Sequence, residues 1–284
     1  LQLIKIFYEK IFKTVVPVSS LETAEMVKIF ENTFRLINIS LVNELKEYTD
    51  TIGIDMWEVI NAAASKPFGF MPHYPSPGVG GHCIPVDPFY LYNDAEKKGI
   101  RIDMIHTAGV INDKQPVRVV EHTLQIMDKN TQEMYTKKNT EESISLTPQL
   151  FSPHFYKNPM TMQGIKGGSQ YVQVTDIEKR KYKILLIGIT YKPDIDDIRE
   201  SAALKIWNLF EEKGHVVSYH DPYVDSIRDT TSLPLTEELL EGQDIFVIVT
   251  NHQNIDYTYL TTFNKPIVDT RHVYKQKLPN IYYV

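Results

Sequence analysis

The chain has 284 residues, of which 42% are hydrophobic and 23% charged, with a formal net charge of −6. These are values of a soluble globular protein of about two domains. The acidic balance argues against a nucleic-acid surface, and no run of ~18 apolar residues suggests a membrane span. The single cysteine, Cys83, excludes an internal disulfide and fits a reducing, cytoplasmic compartment.

The chain opens on Leu1 with LQLIKIFYEKIF, which has no basic n-region followed by a small-residue cleavage site. The expectation is either processing or the later part of a longer protein. From Ser20 to about Tyr48, apolar residues recur at helical spacing: Leu21, Ala24, Met26, Val27, Phe30, Phe34, Ile37, Leu41 and Leu45. Ser19 or Ser20 can cap this helix, with Glu22 and Glu25 well placed in its first turns. A helix so long and apolar on more than one face is expected to be buried between other helices. A second helix is predicted over Asp55–Ala64. The loop PFGFMPHYPSPGVGG follows, then helices near Pro88–Lys98 and Asp103–Met127.

Residues 128 to about 180 are polar and lack periodicity, which predicts a linker or insertion. After them the pattern becomes α/β. KILLIGI reads as a buried parallel strand, followed by a helix over Ser201–Lys213 and the strand HVVSYHD. A short helix at Thr236–Leu240 and the strands DIFVIVT, PIVDT and IYYV complete the series. The expected architecture is a helical unit at 1–127, a linker at 128–180 and a doubly wound parallel-sheet unit at 181–284.

The stretch Gly78-Val79-Gly80-Gly81-His82-Cys83-Ile84-Pro85-Val86-Asp87 concentrates chemistry. A lone cysteine is commonly a small buried hydrophobe. Here glycine-rich backbone permits close approach and offers N–H groups to an oxyanion, which suits a nucleophile. Asp87 is spaced to position water or a proton-carrying partner, whereas His82 is adjacent and badly placed as a general base. His73, His82, Cys83 and Asp87 match no standard zinc spacing, so no metal is expected. Lys28 and Asn32 share one helix face. Either Lys28 snorkels to solvent, or it is a buried ammonium that stabilises negative charge.

The turn after KILLIGI is Gly188-Ile189-Thr190-Tyr191-Lys192-Pro193, not the G-x-G-x-x-G of a dinucleotide site. Lys192 can meet a phosphate and Tyr191 can stack or hydrogen-bond, or Lys192 is a solvated loop residue. Arg199, at the entry to a helix, calls for an anion: a bound phosphate or a neighbouring carboxylate. Arg271, after PIVDT, poses the same choice.

The segments SSLETAEMVKIFENTFRLINISLVNELK, KPFGFMPHYPSPGVGGHCIPVDPFYL, TAGVIN, GITYKPDIDDIRES and YHDPYV resemble the UDP-glucose/GDP-mannose dehydrogenase family, nearest its UDP-N-acetylglucosamine 6-dehydrogenase branch. The likeness covers about residues 8–127 and 180–284. It implies oxidation of a sugar C6 hydroxymethyl to a carboxylate with two NAD⁺ and an enzyme-bound thioester. Cys83 then matches the nucleophile, Lys28 and Asn32 the oxyanion-stabilising and water-ordering pair, and Asp87 the carboxylate assisting them. Tyr74, Gly78, Gly80 and Gly81 match the loop around the substrate. Tyr191, Lys192 and Arg271 match substrate or active-site contacts, and Arg199 a position near the cofactor cleft. The resemblance further implies a UDP-sugar substrate, with UDP-GlcNAc first, and a homodimer through the 20–48 helix. Nothing in the chain corresponds to the family's NAD-binding Rossmann domain, and the insertion near 131–176 departs from the family pattern. Two alternatives stay open: a non-catalytic nucleotide-sugar-binding or oligomerisation module, and a cysteine acyl hydrolase.

Overall fold

The computed structural model describes residues 1–141 and 180–284. The expected insertion at 131–176 lies largely outside them. Helix α1 spans Gln2–Tyr8 and buries none of its residues. Helix α2 spans Leu21–Thr51, and its start is fixed by Ser20, whose hydroxyl accepts the Thr23 amide proton at 3.2 Å. Helix α3 spans Met56–Ala64 under an Asp55 cap, and α4 spans Asp87–Lys97 with Pro88 in its first turn.

The inward face of α2 differs from the sequence expectation. Asn32, Thr33, Ser40, Asn43, Lys46 and Thr49 are buried alongside Leu36 and Val42. Met26, Val27, Phe30, Phe34, Leu41, Leu45 and Tyr48 are instead exposed. Most of the periodic apolar residues therefore form an outer stripe, and the inward face combines polar groups with Leu36 and with Val42, which clusters with Met56, Trp57 and Ile60. Ser40 Oγ donates to the Ala108 carbonyl at 2.8 Å, which ties α2 to α5 (Asp103–Glu141). Lys46 Nζ binds both Asp50 oxygens at 2.8 and 2.7 Å and lies 5.2 Å from the centre of the Trp57 ring. Burial lowers the Lys46 pKa while Asp50 opposes the shift.

Helix α5 spans Asp103–Glu141, so it runs on beyond residue 127, where the sequence reading placed the start of a linker. Its middle residues Val119, Val120 and Met127 enter the core of the α/β unit, beside α6 (Ala202–Glu212). One helix thus serves both units.

The sheet contains β1 (Lys183–Ile187), β2 (Val216–His220), β5 (Ile245–Ile248), β6 (Ile267–Asp269) and β7 (Ile281–Tyr283). Between β2 and α7 (Glu237–Glu241), β3 (Ser226–Ile227) and β4 (Thr230–Thr231) form a small antiparallel pair. The main order is β2-β1-β5-β6-β7 with every pairing parallel. The continuous apolar runs of β1 and β5 are buried because both faces are covered. On one face lie α5 and α6; on the other, α7 and α8 (Tyr257–Leu260) supply Leu240 and Leu260. Strand order reverses between β1 and β5, and the carboxyl ends flanking such a switch are where open α/β sheets bind ligands.

Gly188 leaves β1 at that point with φ +77°, and a Cβ there would lie 2.1 Å from the Thr250 carbonyl oxygen. Backbone on both sides cannot yield as a flexible side chain would. Gly188→Ala is expected to cost about 3 kcal/mol or more, read as a lower midpoint in denaturant unfolding. An unchanged midpoint would contradict this packing.

Candidate active site

The stretch from Pro75 to Asp87 is held by asparagines projecting from helices. Asn43 of α2 accepts the Ser76 amide proton at 2.8 Å, and Asn112 of α5 accepts that of Val79 at 2.7 Å. Pro116 lies inside α5 and gives the Asn112 carbonyl no intrahelical donor. Gly78, at φ +129°, packs at this place: an added Cβ would sit 3.6 Å from Pro116 Cδ and 3.7 Å from Asn112 O.

The next glycines meet the α/β unit. The Gly81 amide donates to the Arg199 carbonyl at 3.1 Å. A Cβ on Gly80 would fall 2.7 Å from Glu200 O, and one on Gly81 would fall 2.8 Å from the Tyr191 ring. Only residues without side chains permit this approach.

Cys83 emerges from the contact exposed, which overturns the buried-hydrophobe reading. Its carbonyl accepts the Asp87 amide proton at 2.8 Å, so sulfur and carboxylate are one turn apart. Asp87 opens α4, where the helix dipole favours a negative charge. Asn32, buried on α2, donates from Nδ2 to Asp87 Oδ2 at 2.7 Å. The amide leaves its oxygen for another donor, and the carboxylate retains acceptor capacity.

Arg199 approaches closely enough to interact electrostatically with Cys83 and Tyr191. Its guanidinium is nonetheless paired with Asp197, at 2.6 Å through the terminal nitrogen and 3.0 Å through Nε. The carboxylate reading of its anion is therefore the one present. Side-chain and backbone hydrogen bonds from Arg199 lower the Asp197 pKa to about 2.

Other expected residues lie at the margin. Lys28 is 62% exposed and pairs with Glu31 at 3.4 Å, so it is not a buried ammonium. Tyr74 donates to Asn61 of α3 at 2.9 Å. Lys192 is exposed, and its carbonyl accepts from the Thr190 hydroxyl at 2.9 Å. Arg271 donates from Nε to the Val249 carbonyl at 2.6 Å, which places it across the carboxyl ends of β5 and β6. Burial lowers its pKa to about 10 while Asp269 opposes the shift.

The turn after β1 does not fit a dinucleotide pyrophosphate. Its Ile189 and Thr190 amides donate to the Asp221 carboxylate, at 2.7 and 3.3 Å. A buried negative group thus holds the position that a phosphate would need. Among the described residues, no group of three or more His, Cys, Asp or Glu side chains is placed to hold a metal ion. No described helix is long and apolar enough to cross a membrane.

Residues 22–114 match the central domain of the UDP-glucose/GDP-mannose dehydrogenase family, and residues 185–276 match its UDP binding domain. The chain belongs to this family. It is 30% identical to the UDP-N-acetyl-D-mannosamine dehydrogenase of Methanocaldococcus jannaschii, over 98% of this chain and 53% of that protein. It is 28% identical to the NDP-N-acetyl-D-galactosaminuronic acid dehydrogenase of Ralstonia solanacearum, over 92% of this chain and 50% of that one. The structure of UDP-D-ManNAc dehydrogenase from Pyrococcus horikoshii superposes with a TM-score of 0.73 at 25% identity, covering 99% of this chain and 56% of that chain. The chain therefore spans about half the length of the curated relatives it matches. Its helical and five-stranded parallel-sheet units are those of nucleotide-sugar dehydrogenases.

Asn43, Asn61 and Asn112 escaped the sequence reading. Asn112 lies within TAGVIN, and an asparagine inside an apolar helical run was the available signal. Asp221 and His252 also escaped, although each follows a strand at its carboxyl end. The Asp197–Arg199 pair gives a pH test. A carboxyl with a depressed folded-state pKa contributes stability above its unfolded value, ~3.9, and loses that contribution as pH falls toward 2. In Arg199→Gln, NMR titration of Asp197 is expected to move from about 2 back toward the ordinary value. A titration still near 2 would remove Arg199 as the cause.

Proposed function

We propose that this chain is the nucleophile-bearing and substrate-binding part of an NAD-dependent nucleotide-sugar 6-dehydrogenase. The supporting observation is the docking of the Gly80–Gly81 backbone, two residues before Cys83, on Tyr191 and the Arg199–Glu200 backbone. That contact brings an exposed thiol to the carboxyl-end switch of a UDP-binding domain. A nucleotide held by the sheet would project its sugar toward sulfur.

The part of the reaction assigned to these residues is the chemistry on sulfur. Cys83 Sγ adds to the carbon of a C6 aldehyde, and the carbonyl π electrons pass to oxygen. A nicotinamide dinucleotide bound elsewhere in a full-length protein would supply the hydride acceptor that takes this adduct to a thioester, whose carbon water would then attack. The carboxylate leaves, and Sγ takes its electron pair back. Asp87, fixed by Asn32, is placed to accept the proton of this water. The dinucleotide is assigned to the rest of a full-length protein, because the turn after β1 has its amides committed to Asp221.

The substrate class is a UDP-linked 2-acetamido-hexose. UDP-N-acetyl-D-mannosamine ranks ahead of UDP-GlcNAc, since several relatives carry its name. The apolar stripe of α2, with Phe30 67% exposed, supports a homodimer through that helix.

In the full-length protein with NAD⁺ and UDP-N-acetyl-D-mannosamine, NADH absorbance should rise with two NADH formed per sugar consumed. Cys83→Ala should reduce that rate by roughly 10³-fold or more while leaving UDP affinity within about threefold. A variant with parental turnover would dismiss Cys83 as nucleophile. UDP-sugar binding with no turnover in the parent would favour the non-catalytic module.

A further inference from the structure

Beyond the carboxyl end of β5 the chain continues through Thr250-Asn251-His252, which faces the turn after β1 across the switch in strand order. His252 is 1% exposed, and both of its ring nitrogens are engaged. The Asp194 amide donates to Nδ1 at 3.0 Å, so in the neutral ring the proton resides on Nε2. From Nε2 that proton points to Asp221 Oδ2, at 3.0 Å, with Thr190 Oγ1 also 3.2 Å away. The Thr190 hydroxyl donates in turn to the Lys192 carbonyl at 2.9 Å, and Thr250 Oγ1 donates to the Thr190 carbonyl at 2.6 Å.

These bonds form a frame around one short arc. At its beginning, the Ile189 and Thr190 amides are fixed by Asp221, whose other oxygen accepts the Tyr223 amide at 2.9 Å. At its end, Asp194 adopts φ +62°, a left-handed conformation costly for a residue with a side chain. His252 at the Asp194 amide, and the Gln253 amide bound to Asp194 Oδ1 at 2.9 Å, stabilise that conformation. Between the two ends stand Tyr191, with its ring against Gly81, and Lys192. In a dinucleotide turn, glycines and a bound phosphate would set the path of the chain. Here buried side chains set it.

We propose that His252, oriented by Asp221, is a positioning residue that fixes the Thr190–Asp194 arc and so places Tyr191 and Lys192 for the nucleotide sugar. The proposal rests on the functional reading above, in which this arc contacts substrate. Removing the imidazole leaves the half-buried Asp194 amide without its acceptor and the buried Asp221 without one of its donors. The arc would then relax, and with it the surface under Gly81.

The test uses the full-length protein with UDP as the probe in calorimetry, together with amide hydrogen exchange over residues 189–194. His252→Leu removes both ring contacts. His252→Gln returns an acceptor and a donor on one planar group. His252→Leu should weaken UDP binding at least about tenfold and speed exchange at Tyr191, Lys192 and Asp194. His252→Gln should restore most of the affinity and slow the exchange. If His252→Leu does not fold, His252→Asn takes its place under the same criterion, since it keeps an acceptor for Asp194 but not the reach to Asp221. A folded variant that binds UDP as tightly as the parent, with only a lower Tm, would reduce His252 to a structural role and overturn the proposal. A parent chain that binds no UDP would instead sink the functional reading, and the proposal with it.

Discussion

The arrangement depends on backbone meeting a neighbour where no side chain intervenes. Gly80 and Gly81 lie against Glu200 O and the Tyr191 ring at separations that a Cβ would violate, and the Gly81 amide bonds to Arg199 O. Glycine pays for such contact with conformational entropy in the unfolded chain. The asparagines of three helices offset that cost by fixing the approach. Asn43 and Asn112 hold the loop backbone at Ser76 and Val79, while Asn61 holds the Tyr74 hydroxyl. Cys83 owes its exposed position to this suspension and not to packing of its own side chain.

The two units are therefore less separate than their patterns suggest. Helix α5 carries Asn112 for the loop and, two turns later, Val119 and Val120 for the core beneath the sheet. Lys46 of α2 reaches the Tyr283 carbonyl of β7 at 3.5 Å, and Trp57 of α3 stacks on His272 with ring centroids 4.8 Å apart. Displacement of the helical unit would disturb both the Cys83 loop and these contacts. Asp221 sets the opposite side of the site. Burial pushes its pKa upward, but bonds from His252 and the Ile189 and Tyr223 amides prevail and hold it below the ordinary value. Asp221 occupies the Ile189 and Thr190 amides, which a dinucleotide fold of similar topology would offer to its pyrophosphate.

Elements governed by local rules were legible in the sequence. Ser20, Asp55, Ser201 and Thr236 each cap the helix that follows, and the apolar runs at 183–187 and 245–248 form buried parallel strands. What depends on partners across the fold was less legible. The apolar period of α2 gave the helix but not its inward face, because polar side chains can occupy an interface when Ser40, Asn43 and Lys46 all find partners. For Lys28 the two readings were open, and the structure leaves it on the surface beside Glu31. The end of α5 was obscured because polar residues after 127 show no apolar period. In the site, Cys83 and Asp87 stood out within one glycine-rich stretch. His252 gave no such signal, since its meaning comes from Asp194 and Asp221, which are remote in sequence.

The central claim is that the Cys83 thiol and the sheet's switch point form one nucleotide-sugar site. Alkylation of Cys83 by iodoacetamide tests it directly, with the rate followed in the absence of ligand, with UDP, and with UDP-N-acetyl-D-mannosamine at equal saturation. The account predicts that the nucleotide sugar slows alkylation about tenfold or more, whereas UDP, which lacks the sugar that would cover sulfur, slows it far less. Equal rates in all three conditions, with UDP binding demonstrated, would place the thiol and the nucleotide in separate sites and contradict the account.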